Sequence, residues 1–583
     1  MSVVTSPGAQ DTARAPRSPE RRARVGSPSV GLWLIAAVGL SLLFSARTMG
    51  PAFAPDVVQG DARQHVFWTA RLWDPALFPG DVIADYYQSV APPGFSAVYW
   101  LAIRAVDPLL ASKLLPPLLG VASAVVVFGL VRRLSGGPPG AFLATVLLSW
   151  YVWQYDDLPS ATARAFMLPL LGGLLWALVA GRRGVVVGLV AALALVYPFG
   201  ALLGLALLAV RLVRWRGWRP GLVREQQDWL GFVAACMLVA SLLLPARLTA
   251  EQFGPTVSLA EARALADFGP SGRTPYFVED GYRYWIASGR SGLDLRVTDV
   301  LLPDVPIFYL YLGLALLLPI VLARRYATRR ERPPPGLELL PQVLLASFGL
   351  FFLAHLLLFQ LYLPSRYVKT SVPLLLSVSA GLALGMLIEA AAACFGARRH
   401  LVTGCAALVL GLAIAAYPGR YAGAFHRDEI PAITAYLRSQ PKDTLVAGAS
   451  EETDQVPVFA ARSVLVAREY LLPYQLGYYR EMHRRMLDLI EGYYAESPGA
   501  VAAFAERYGV DVFLVNRDAF DRTRFRRAWN FARSEQTFAP IIAEQFERNR
   551  RFALLDLADR CAEADDGTVA AVPASCILGR AAP

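Results

Sequence analysis

Apolar runs near ~20 residues, the length that crosses a bilayer core, recur through the first part of this 583-residue chain. Eleven segments fit as spans: 31–49, 112–131, 139–155, 165–180, 184–197, 198–213, 229–246, 304–323, 339–363, 370–393 and 401–417. Basic clusters between them set the orientation. Arg21, Arg22 and Arg24, Arg132 and Arg133, Arg182 and Arg183, Arg211 through Arg224, Arg324 through Arg332, and Arg398 and Arg399 all fall on one side. That side is the cytoplasm, because basic residues near span ends stay inside. The segments 50–111, 156–164, 247–303 and 364–369 then lie outside, together with everything after 417.

The run 184–213 decides this topology. As a single helix it would be ~45 Å long at 1.5 Å per residue, against a core of ~30 Å. Tyr197-Pro198 lies midway, so the run divides into a hairpin of two short helices; a single crossing would put Arg324–Arg332 outside. Phe95–Val106 is apolar but short and carries Arg104, which suits a helix lying in the membrane interface.

Composition agrees with this pattern: 55% of residues are hydrophobic and 17% charged, whereas soluble proteins carry about 25% charged residues. The net charge of +10 resides in the inter-span arginines and is not a nucleic-acid signal. Residues 1–28, rich in Arg, Pro and Ser, read as a disordered cytoplasmic tail. From 418 to 583 charge rises, a helical pattern covers Tyr479–Tyr493, and β-like runs occur at 444–447, 463–466, 510–515 and 552–557. Strands alternating with helices predict a C-terminal extracytoplasmic α/β domain. It shows no glycine-rich phosphate loop, no metal-spaced Cys/His cluster and no nucleophile elbow, and reads as a structural or acceptor-recognition lid. Of five cysteines, Cys561 and Cys576 alone lie outside apolar runs; the sequence leaves open a disulfide or two thiols.

Three external features could carry chemistry. Asp61 opens the segment Asp61-Ala-Arg63-Gln-His65 in the first external loop. Asp156 and Asp157, with Arg164 behind them, stand where the third span emerges; adjacent carboxylates there need water or a cation. Arg366, Tyr367 and Lys369 lie between the ninth and tenth spans, where cations could hold an anionic headgroup. Taken singly, Asp61 is a solvated loop carboxylate, Asp156 and Asp157 are helix caps, His65 is a packing group, and Arg366 and Lys369 are interface anchors.

The order along 31–417 resembles the GT-C superfamily of polyprenyl-phosphate-sugar-dependent membrane glycosyltransferases, which includes protein O-mannosyltransferases, aminoarabinose transferases and oligosaccharyltransferases. The matching elements are Asp61 in a long first external loop, then Tyr86-Tyr87 through Pro92-Pro93-Gly94-Phe95 to Tyr99-Trp100. Asp156-Asp157 and Ser365-Arg366-Tyr367 before Pro373 complete the series. The resemblance implies a polytopic α-helical fold in the cytoplasmic membrane and an inverting sugar transfer in the cell envelope, with Asp61 as general base. It implies substrate binding by Arg63, His65, Asp156, Asp157, Arg164, Arg366, Tyr367 and Lys369. The partners would be a polyprenyl-phosphate sugar, membrane lipids and a glycan, lipid or protein acceptor. Many relatives have an acidic pair where Ala62 follows Asp61, so a metal stays unassigned, with a divalent ion left open. A lipid or glycan transporter or flippase, and a catalytically inactive GT-C-like scaffold, are the competing readings. Charges at the external surface and the lack of an internal repeat favour the transferase over the transporter.

Overall fold

Among the described residues, helices fall within the expected apolar segments. In this computed structural model, which describes residues 30–581 except 135, 217–218, 295–299, 303–304, 330–335, 417–423, 449 and 532–534, they begin with α1 (Val30–Met49), α2 (Pro108–Arg133), α3 (Pro138–Val152) and α4 (Met167–Val179). Next come α5 (Arg183–Val196), α6 (Pro198–Arg211), α7 (Gln226–Ala250) and α8 (Ile307–Arg329). The last are α9 (Leu339–Leu356), α10 (Ser371–Ala392) and α11 (Arg399–Ala416). The tail at 1–28 lies outside the described residues. Among those described, five helical segments are long and apolar enough to cross a bilayer: Val30–Phe53, Pro108–Arg133, Gln226–Pro245, Leu339–Leu356 and Pro364–Ala416. Shorter apolar helices cover Pro138–Val152, Ala163–Val179, Arg183–Val196 and Pro198–Arg211. The chain is a multi-pass membrane protein.

Helix α3 is the axis of the bundle. Every residue from Pro139 to Tyr151 is buried, as expected of a helix that is apolar on all sides, and α1, α2, α10 and α11 pack around it. Its contact with α10 rests on small residues. A Cβ added at Gly385 would lie 2.6 Å from Gly140 Cα, and one at Gly381 would lie 2.4 Å from Ala144 Cβ. Gly140/Ala144 and Gly381/Gly385 are thus four-residue-spaced small pairs that let two backbones touch, a common way for helices to associate in lipid.

The turn between α5 and α6 falls at Tyr197, which leaves the helical region at φ −146° and ψ 87°. Pro198 explains this: it has no N–H to continue the ladder and disfavours helical geometry in the residue before it. The span expected at 339–363 stops early, at Leu356. Beyond it, Phe359 packs against Phe268 with ring centroids 4.9 Å apart, and Tyr362 against Tyr474 at 5.0 Å. These aromatic residues are committed to Phe268 and Tyr474, outside the apolar helices.

Past residue 424 the chain forms a mixed five-stranded sheet in the order 564–565, 569–573, 512–516, 445–448, 463–464. Leu445–Gly448 runs parallel to Ser463–Val464 and Val512–Asn516, and the other pairings are antiparallel. The expected strand at 552–557 is instead the start of a helix, Ala553–Cys561. Its buried residues Ala553, Leu554, Leu557, Ala558 and Cys561 follow a helical stripe, not the alternation of a strand. A disulfide joins Cys561 to Cys576.

The segments between the apolar helices are knitted to the tail. Val57–Gln59 pairs antiparallel with Phe425–Arg427. The Tyr86 ring stacks on Tyr478 at 3.8 Å, and the Tyr479 hydroxyl donates to Asp267 Oδ2 at 2.6 Å. Together these contacts fix the first loop and the 247–303 segment against the tail.

Candidate functional site

Asp61 stands in the first turn of the short helix Gly60–Val66, directly after the strand Val57–Gln59. The Gln59 side chain caps that helix, its Oε1 accepting from Asp61 N at 2.8 Å and Ala62 N at 3.0 Å. Such a cap satisfies backbone donors that a helix start leaves open, so the backbone under Asp61 is held from both sides. Asp156 and Asp157 lie in the turn after α3, where Ser160 donates its N–H to Asp156 O at 3.0 Å and its hydroxyl to Asp157 O at 2.7 Å.

Arg164 joins the two loops. Its Nη2 pairs with Asp61 Oδ2 and lies 3.2 Å from Asp156 Oδ2, while Nε lies 3.1 Å from Asp157 Oδ1. Lys369, at the head of α10, reaches Asp157 at 3.1 Å, Asp156 at 3.5 Å and Asp294 at 2.9 Å. Burial alone would lower the pKa of Lys369, but Asp157, Asp294 and Asp156 outweigh it and hold the value above the ordinary lysine range. Tyr155, Asp157, Arg164, Asp294, Lys369 and Thr370 line a cleft of about 470 Å³, counted to its open mouth. Asp61 Oδ2 is buried, yet the side chain keeps 30% of its surface accessible. The exposure therefore lies on the rest of the group, which an incoming molecule could meet.

Asp61, Asp156, Asp157, Arg164 and Lys369, singled out from sequence, thus converge from three separate segments. Four others are placed differently. Arg63 turns away from Asp61 and pairs with Glu469 at 3.4 Å, a carboxylate it shares with Arg273 at 3.1 Å. Neighbours in sequence on a helix do not face one another, which is why Asp61 and Arg63 point to different partners. His65 meets Tyr87 edge-on at 5.3 Å, and burial lowers its pKa to about 4 against the pull of Glu469. Tyr367 is buried against Phe199 and donates to Leu361 O at 3.0 Å. Arg366 makes no carboxylate ion pair among the described residues; its guanidinium lies 5.9 Å over the Tyr362 ring, within electrostatic reach of Asp157. Asp294, missed in the sequence, belongs to the 247–303 segment and carries no spacing signal. It adopts φ 55° and is fully buried against Lys369.

Among the described residues, no three His, Cys, Asp or Glu side chains are arranged to hold a metal ion. The inward oxygens of Asp61, Asp156 and Asp157 face Arg164 and Lys369 instead.

No family model matches the chain, and no curated protein matches it in sequence. Solved structures do. The archaeal oligosaccharyltransferase AglB from Archaeoglobus fulgidus, in complex with an inhibitory peptide and a dolichol-phosphate, aligns at a TM-score of 0.50 and 13% identity. That alignment covers 88% of this chain and 72% of the archaeal one. An apo oligosaccharyltransferase from Archaeoglobus fulgidus gives a TM-score of 0.50 at 12% identity, over 85% and 71% of the two chains. The mycobacterial arabinofuranosyltransferase AftD aligns at a TM-score of 0.40 and 15% identity, over 84% of this chain and 37% of its own, and carries no weight in the assignment. The chain shares the fold of these archaeal oligosaccharyltransferase structures, as its resemblance to the GT-C superfamily implies.

Proposed function

We propose that the protein transfers a sugar from a polyprenyl-phosphate-linked donor to an acceptor hydroxyl at the outer face of the cytoplasmic membrane. The carrying observation is the convergence of Asp61 with Asp156, Asp157, Arg164 and Lys369 beside one cleft. Asp61 acts as general base. It takes the acceptor proton while the acceptor oxygen bonds the anomeric carbon from the face opposite the phosphate. The sugar–phosphate bond breaks, its electron pair leaves with the polyprenyl phosphate, and the anomeric centre inverts. Arg366, free of carboxylate partners among the described residues, receives the developing phosphate charge. Asp156 and Asp157 act through Arg164, keeping the face of Asp61 toward the acceptor.

In the same reading all eleven apolar helices cross the membrane, with the N-terminus in the cytoplasm and 418–583 outside. The arginine distribution supports that sidedness, and so does the Cys561–Cys576 disulfide, because such bonds persist in oxidising compartments. The protein is then a transferase whose tail covers the reaction chamber.

The test is transfer in vitro from synthetic polyprenyl-phosphate sugars by the native protein and by Asp61→Asn. Asparagine keeps the size of the side chain but cannot accept the proton. General base catalysis contributes about 10²–10⁴-fold, so turnover falls by that much while donor binding persists. Transfer at the native rate by Asp61→Asn places the base elsewhere. A native protein that binds no such donor is a scaffold.

A further inference from the structure

The carboxylates of this site already surround a cation, and it belongs to the chain. One guanidinium, that of Arg164, meets Asp61, Asp156 and Asp157. Its side chain is only 16% exposed. Asp61 Oδ2 and Asp157 Oδ1 are themselves buried. These are the oxygens a divalent ion would need, since Ca²⁺ and Mg²⁺ take oxygen ligands at about 2.0–2.6 Å. Ion and guanidinium cannot hold the same lone pairs at once. Lys369 makes the exclusion stronger by engaging Asp156, Asp157 and Asp294 as well.

We propose that Arg164 is the built-in cation of this site, a positioning residue that orients Asp61 and makes the carboxylate cluster independent of divalent metal. Like charges gathered in a partly buried space repel, and none can stay ionised cheaply without a counter-charge. An ion would supply that charge only when bound. An arginine supplies it permanently, because it is not deprotonated in proteins. Its Nε and Nη2 also lie against carboxylates from two different loops, so one side chain pairs with both. The side chain thereby links the turn after α3 to the first external loop, which otherwise reaches the tail through Val57–Gln59. Removal of Arg164 should uncover a cation site that the native protein lacks.

The inference rests on the proposed transfer only for its activity arm; the metal arm stands apart from it. The experiment uses the full-length protein in detergent with MnCl₂ as the probe, following free Mn²⁺ by electron paramagnetic resonance and unfolding temperature with and without EDTA. The native protein is expected to take up no stoichiometric Mn²⁺ at millimolar concentration, and EDTA to leave its unfolding temperature unchanged. Arg164→Ala is expected to bind one Mn²⁺ per chain at least about tenfold more tightly than the native protein, since affinity follows ligand charge count. That binding should vanish in the double variant Arg164→Ala with Asp61→Asn. Arg164→Lys keeps the charge, serves as the second variant should Arg164→Ala fail to fold, and is expected to exclude Mn²⁺ as the native protein does. In the activity arm, free guanidinium is expected to restore part of the transfer lost in Arg164→Ala. A native protein that binds one Mn²⁺ per chain, lost in Asp61→Asn, overturns the inference, and so does a folded Arg164→Ala that gains no Mn²⁺. Failure of the transfer reading looks different: no sugar is moved by any variant, and the Mn²⁺ results stay as expected.

Discussion

Replacing Gly385 with alanine strikes the contact on which the bundle is built. The added Cβ would lie 2.6 Å from Gly140 Cα and 3.0 Å from Gly140 N, with no flexible side chain to yield. Carbon atoms rest at about 3.5–4.0 Å, so α3 and α10 must separate by roughly 1 Å. Overpacking of this kind costs about 1–3 kcal/mol, and a backbone-on-backbone clash belongs at the upper end. Alanine recovers about 1 kcal/mol of helix propensity over glycine, which leaves a net destabilisation of about 2 kcal/mol. Gly39→Ala is the internal control. It lies within α1 with nothing within 4 Å of the added atom, so it should stabilise by about 1 kcal/mol. Thermal unfolding in one detergent therefore ranks Gly39→Ala above native and Gly385→Ala below. The same separation moves Lys369 relative to the Asp156–Asp157 turn, and a 1 Å misplacement can cost about 10²-fold in turnover. If Gly385→Ala melts at or above Gly39→Ala, the close contact of α3 with α10 is wrong.

Arg366→Lys keeps the charge but loses the planar fork, so turnover should fall with donor concentration unable to rescue it; kinetics unchanged in both this variant and Arg366→Ala would return the residue to interface anchoring. His65, held near pKa 4 by burial, takes up its proton more readily unfolded, at about 6.5. Stability should therefore fall as pH drops from about 6.5 toward 4, and His65→Gln should remove up to about 2 kcal/mol of that loss at pH 5, read from melting curves; parallel curves would contradict the burial of His65. Reporter fusions after Arg133, Arg183, Arg330 and Arg399 should score as cytoplasmic and those after Gly60, Pro159 and Ser450 as external, and an external score at Arg330 would undo the hairpin at Tyr197-Pro198.

The sequence announced what depends on local chemistry. Apolar length located the helices, Pro198 located the break after Tyr197, and paired carboxylates at a helix end located Asp156 and Asp157. Contacts set by the third dimension were less visible. Asp294 is one acidic residue in a long external segment, and only folding places it on Lys369. Arg63 and His65 read in sequence as substrate-binding beside Asp61, but the turn of a helix sends Arg63 to Glu469, and His65 packs edge-on against Tyr87. The run Phe552–Leu557 is rich in leucine and short, so it passes for a strand until its buried positions are seen to repeat at helical spacing. The small-residue pairs on α3 and α10 were present in the chain as ordinary glycines, and their meaning depends on which helices meet.

The pairing of Val57–Gln59 with Phe425–Arg427 has a consequence in time. Asp61 emerges early in synthesis, but the strand that steadies its backbone follows the last apolar helix. During translation the carboxylate waits through the insertion of every later helix before its support arrives. The backbone support of Asp61 is therefore a late event of assembly, possible only once residue 427 has been made.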